Sequence, residues 1–269
     1  MKIVFRGVRG SLPTPYAENL EYGGNTACVE IRSSSGDIVA LDGGTGLRDV
    51  GLALAEEFGR EGMEIDILLS HYHRDHIQGK PNIEHLFVTG NGVRYYGHGS
   101  NLEKTVTSQM REPYFPVDFS ETGSRKEFIS VESASFTVGS LTVHPFRLNH
   151  PQGATGYRLE SEEGTVTYAT DLEHGDERCD RILREYAQNS DVLIYDSQYT
   201  PEEYEMRRGW GHSTWLEATL VAADADVGQL VLFHHDPSHS DSECDEIAKL
   251  ATRYFPESIV ASEDLVIEL

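Results

Sequence analysis

Six consecutive residues, His71-Tyr72-His73-Arg74-Asp75-His76, hold three imidazoles and a carboxylate. Neutral imidazole and carboxylate together suit Zn and related divalent ions. An extended chain points alternate side chains the same way, so His71 and His73 share a face. Asp75 and His76 fall on the turn that follows and can aim at a second, adjacent ion. Two ions about 3.5–4 Å apart acidify a water and stabilise both oxygens of an in-line displacement. The chemistry these residue types suggest is therefore metal-assisted hydrolysis.

These residues need a rigid support, and the flanking pattern supplies one. Residues 64–70 read as a buried strand (Ile65, Ile67, Leu68, Leu69) that runs straight into the cluster. Residues 26–32 and 37–41 read as two strands, followed by the turn Asp42-Gly43-Gly44-Thr45-Gly46. After it, Leu47, Val50, Gly51, Leu54 and Phe58 fall at helical spacing. The second half repeats the theme, with strands expected at 141–148, 165–169, 191–196 and 229–233. Thr214 and Glu217 fit a capping box opening a helix to about Ala225, and residues 242–254 form a closing amphipathic helix. Strands and helices in both halves imply two sheets covered by helices, in one domain spanning 1–269. Residues 97–128 show no clear period and read as an irregular insertion, a candidate lid.

The cluster and its setting resemble the metallo-β-lactamase-fold hydrolases, whose signature is His-x-His-x-Asp-His at a strand end. The resemblance extends from Gly7 to Asp236. It implies a four-layer αββα sandwich and further ligands after later strands, here His150, Asp171 and His234. By that resemblance His71, His73 and His150 bind one metal, and Asp75, His76 and His234 bind the other. Asp171 and a metal-bridging hydroxide join the two. Zn is the default ion, and Mn and Fe also suit these ligand types. The neighbouring pair His234-His235 is ambiguous. Alternation with Leu230 and Leu232 selects His234, and His235 in a strand points the other way. His239 and Asp236 are expected to fix ligand tautomers.

Three features resemble the phosphodiesterase branch that contains tRNA 3′-processing endonuclease Z. They are His150-Pro-Gln-Gly-Ala-Thr-Gly-Tyr157, the segment Gly211-His212-Ser213-Thr214, and Asp196 at the end of a buried strand. The resemblance implies that Asp196 orients His212, which assists the leaving group. Tyr114, Phe115 and Asn149 are further candidates for substrate contact, the aromatic pair as a stacking surface.

Composition narrows the substrate. The 22 Lys and Arg against 45 Asp and Glu leave a net charge of −23, which repels polyanions. No glycine/proline-rich arm is present to grip a tRNA. A small phosphodiester, such as a cyclic nucleotide, fits better than long nucleic acid. Rival readings are an RNA 3′-processing nuclease and a lactonase or thioesterase acting on carbon esters. No apolar run reaches the roughly 18 residues of a membrane span. The odd, widely spaced Cys28, Cys179 and Cys244 suggest a reducing compartment, hence a cytoplasmic protein without disulfides. Homodimerisation is common in the resembling branch, and the resemblance implies it for this chain.

Overall fold

The computed structural model describes all 269 residues. Two seven-stranded sheets pack face to face, with helices on both outer surfaces. The first sheet contains β1 (Lys2–Gly7), β2 (Cys28–Arg32), β3 (Ile38–Leu41), β4 (Glu64–Leu68), β5 (Gly92–His98) and β6 (Arg125–Val131). The second contains β7 (Phe136–Val138), β8 (Leu141–Leu148), β9 (Ala154–Ser161), β10 (Gly164–Ala169), β11 (Val192–Asp196), β12 (Gln229–Phe233) and β13 (Ser258–Val260). β14 (Val266–Glu268) returns to pair with β1, so the sheet orders are 14-1-2-3-4-5-6 and 13-12-11-10-9-8-7. This is the expected αββα sandwich.

Each sheet is antiparallel on one side and parallel on the other. β3 to β6 are parallel in the first sheet, and β10 to β13 in the second. Parallel neighbours end at the same edge, where open α/β sheets bind ligands. The loops after β3, β4, β10, β11 and β12 therefore gather at one edge. They carry Asp42, His71 to His76, Asp171, the last strand residue Asp196, and His234.

The central strands β3, β11 and β12 are almost wholly apolar on both faces because both faces are covered. Between the sheets, Ile3, Phe5, Ile31 and Leu41 face Tyr157, Tyr168, Ile194 and Phe233, all fully buried. Phe233 sits 6.1 Å from Phe5 and 5.8 Å from Tyr168, ring to ring. Outside the first sheet lie α1 (Leu47–Phe58) and α2 (Leu102–Ser108). Outside the second lie α3 (Glu177–Ala187), α5 (Trp215–Asp224) and α6 (Asp241–Tyr254), with the short α4 (Pro201–Arg207) between β11 and α5. No helix is long and apolar enough to cross a membrane.

Residues 97–128 are more regular than their pattern indicates. They hold the end of β5, then α2, a 3-10 turn at Phe119–Glu121, and the start of β6. The segment is a parallel crossover. Phe119 is buried against Tyr95 and Phe128. All three cysteines are buried and free.

Truncating Phe5 to alanine removes a ring from the centre of the inter-sheet core. A loss of about 3–5 kcal/mol is expected, read as a lower urea midpoint at unchanged slope.

Candidate metal centre and catalytic pair

Seven side chains meet at the common strand edge. Atoms of His71, His73, His150 and Asp171 lie within 4.8 Å of one another, and so do atoms of Asp75, His76 and His234. Asp171 stands between the two groups. Its Oδ1 is 3.7 Å from His71 Nε2 and 3.8 Å from His150 Nε2. Its Oδ2 is 3.1 Å from His76 Nε2 and 3.3 Å from His234 Nε2. Asp75 Oδ2 lies 3.3 Å from both His76 Nε2 and His234 Nε2. One carboxylate thus offers one oxygen to each side.

The groups fit a pair of divalent cations. His71 Nε2 is buried with no hydrogen-bond partner, an orphaned atom aimed into the first group. His73 Nδ1 and His150 Nε2 face each other at 3.2 Å, as do the Nε2 atoms of His76 and His234. Converging imidazole nitrogens and carboxylate oxygens form a typical donor set for Zn and its neighbours. Without an ion the charges compensate one another. Burial opposes ionisation of Asp75 and Asp171, yet the facing imidazoles hold both carboxyls well below the usual range. Burial pushes His71 well below its ordinary value. His76, although burial disfavours its charge, is pulled well above by Asp171, Asp75 and Asp42.

Buried neighbours fix three of the rings, those of His76, His150 and His234. Asp42 accepts from His76 Nδ1 at 2.8 Å, from Tyr168 Oη at 2.8 Å and from the Ser70 backbone at 2.7 Å. His150 Nδ1 donates to the Gly211 carbonyl at 2.8 Å, and His234 Nδ1 to Gln198 Oε1 at 3.1 Å. The Ser11 N–H donates to Asp75 at 2.7 Å. Such partners set the tautomer and aim of a ligand. Three of the carriers are in the left-handed region, Asp42 (φ 64°), Asp171 (φ 58°) and His234 (φ 65°). Strained backbone of this kind concentrates at functional sites.

The turn at His234 sends the neighbouring pair in different directions. His234 enters the cluster, while buried His235 points away and bonds the Ala261 carbonyl. Burial and Arg9 push its pKa down to about 3, so it stays neutral. His239 and Asp236 do not orient the cluster, contrary to expectation. His239 pairs with Glu203 at 3.0 Å, and Asp236 caps its own turn through Ser238. Gln198 takes the orienting role, and no local motif marks it.

Beside the cluster, His212 Nδ1 lies 2.8 Å from Asp196 Oδ2. Asp196 is fully buried and also accepts from the backbone N–H of Asp171 and Ser213. Burial opposes the His212 charge, but Asp196 raises its pKa to about 9. The ring lies nearly parallel to His234, centroids 5.1 Å apart. With Nδ1 held by Asp196, its Nε2 is the atom free for other chemistry.

Glu173 is a further residue that sequence patterns do not reveal. Its carboxylate accepts from the N–H of Gly209 (2.7 Å) and Gly211 (3.0 Å), and from Tyr204 Oη (3.0 Å). Its backbone bonds Asn149 in both directions, at 2.7 and 2.8 Å. Three loops, carrying His150, Asp171 and His212, are thereby tied together. Asn149 is placed in this scaffold. Gly211 has φ 90°, and a Cβ there would meet His150 Nδ1 at 2.4 Å, so only glycine fits. Tyr114 and Phe115 lie on a separate cleft beside Arg74.

A family model described as the beta-lactamase superfamily domain matches residues 39–235. The chain belongs to this family. It is a metallo-β-lactamase-fold hydrolase, and the fold implies divalent metal ions. A ribonuclease Z of Thermoplasma acidophilum is 23% identical over 293 aligned residues, covering 90% of this chain and 88% of the relative. The metallo-beta-lactamase fold protein YhfI of Bacillus subtilis superposes with a TM-score of 0.76 at 21% identity, covering 100% and 98% of the two chains. A diphosphatase of the PhnP family gives 0.73 at 17% identity, with 100% and 97% covered.

Asp42→Ala is expected to weaken metal binding about 10–100-fold, measured by chelator competition. Glu173→Gln replaces one accepting oxygen with a donor. It is expected to lower turnover about tenfold while far-ultraviolet dichroism stays unchanged.

Proposed function

We propose that the protein is a dinuclear metal-dependent phosphodiesterase acting on a small phosphodiester, with a cyclic nucleotide as the favoured type. His71, His73 and His150 would hold one ion and Asp75, His76 and His234 the other, with Asp171 shared. Zn is the favoured ion, given the His and Asp donors. When bound, such a pair supplies Lewis acidity toward phosphoryl oxygens and acidifies a water.

The chain's own residues do the rest. The observation that carries the reading is the His212–Asp196 bond beside the shared Asp171. An alkoxide leaving from phosphorus needs a proton at the moment of cleavage. His212 can deliver one from Nε2, while Asp196 stabilises the cation and holds the ring in place. Carbon-ester hydrolysis on the same ligands has less need of such a pair.

Substrate size follows from the surroundings. A cavity of about 370 Å³ opens directly on His71 and His73, with Tyr72, Arg147 and Gln152 among its walls. This lies in the range of small-molecule sites, roughly 300–1,000 Å³. The net charge of −23 works against a long polyanion.

A second reading, RNA 3′-end cleavage, is favoured by the relatives named ribonuclease Z. It requires RNA affinity that falls steeply with salt.

Zinc- or manganese-loaded protein is expected to hydrolyse bis-p-nitrophenyl phosphate. His212→Ala is expected to lower the rate about 10²–10⁴-fold with metal content unchanged. Cleavage of lactones or thioesters alone, indifferent to His212, would overturn the proposal.

A further inference from the structure

The segment that follows the histidine cluster does not pack flush against the loop after α2. A cleft of about 360 Å³ separates them, lined by Arg74, Gln78, Asn82, Gln109, Tyr114 and Phe115. Arg74 stands between His73 and Asp75 in sequence, so the cleft starts one residue from the candidate ligands. Its guanidinium is exposed and makes no hydrogen bond or ion pair with the chain.

Three properties define what this cleft suits. The first is charge. Not one carboxylate lines it, in a chain with 45 acidic residues, and its one charged wall residue is a cation. The second is aromatic surface. Tyr114 is 74% exposed, and Phe115 is half-buried against the helix-side core. The Tyr114 ring borders the cleft. The third is unused amide chemistry. The exposed Asn82 amide lines the cleft and makes no bond within the chain. Carboxamides pair with the donor and acceptor edges of nucleobases, and aromatic faces stack on them.

We infer that this cleft binds the nucleobase of the substrate, stacking it on the exposed ring of Tyr114 beside the metal centre. The Asn82 carboxamide meets the base edge, and Arg74 faces the phosphate. A sugar phosphate or a lipid phosphodiester would leave the ring or the amide without a role. The inference deepens the phosphodiesterase reading and rests on it for the identity of the reacting phosphate.

The test is calorimetry on the metal-loaded protein with adenosine, adenosine 5′-monophosphate and ribose 5-phosphate. Tyr114→Ala, an exposed position, is expected to weaken both adenine ligands about tenfold or more and to leave ribose 5-phosphate unaffected. Arg74→Met is expected to weaken the monophosphate and spare adenosine. Zinc content of each variant, measured in parallel, shows that the neighbouring ligands are intact. Adenosine that fails to bind, or that binds Tyr114→Ala as tightly as the unmodified chain, would overturn the inference. Adenosine carries no phosphodiester, so its binding is independent of the proposed reaction. Binding without hydrolysis of bis-p-nitrophenyl phosphate would sink the phosphodiesterase reading and leave the cleft as a base site. Hydrolysis without adenosine binding would do the reverse.

Discussion

Four buried carboxylates, Asp42, Asp75, Asp171 and Asp196, share one sheet edge and meet no lysine or arginine. An ionised carboxylate taken out of water costs several kcal/mol unless it is paired and hydrogen-bonded. Here the compensation comes from imidazoles and from backbone N–H groups of Ser11, Ser70, Asp171 and Ser213. Removing any one carboxylate unbalances the others. Concentrated negative charge, already lined by histidine nitrogens, is the arrangement a pair of divalent cations would complete.

The rest of the fold holds that charge in place. Parallel strands bring the ligand loops to one edge, and the interlocked rings of Phe5, Tyr168 and Phe233 fix the distance between sheets. Strain at Asp42, Asp171 and His234, of order 1–3 kcal/mol each, persists because the packing over-determines these positions. Arg9 contributes from behind. Its fully buried guanidinium bonds the carbonyls of Gly23, Asp236 and His239 and ties the Ser11 loop to the turn after His234. Glu173 does the same for the His150 and His212 loops.

Much of this was legible in the sequence because it is local. His71 to His76 sit in one short segment, and the ligand-bearing strands are apolar runs ending at a His or Asp. The αββα architecture followed from strands and helices recurring in both halves. The orienting partners were not legible, because they are contacts across sequence. Asp42 meets His76 over 34 positions, and Gln198 meets His234 over 36. The expectation for His239 failed for the same reason, since proximity in sequence to His234 did not place it against that ring. The crossover at 97–128 escaped detection because α2 has only seven residues and β6 is a half-exposed edge strand. α3, whose buried Cys179, Leu183 and Ala187 and half-buried Ile182 and Tyr186 form an amphipathic stripe, was legible but not among the expected elements.

The proposed sharing of Asp171 between two ions is best tested by anomalous diffraction at the zinc edge from crystals grown with zinc. Two peaks are expected, one on each side of the Asp171 carboxylate, with Asp75→Ala losing the peak nearest His76 and His234. A single peak, or none within reach of Asp171, would overturn the dinuclear assignment.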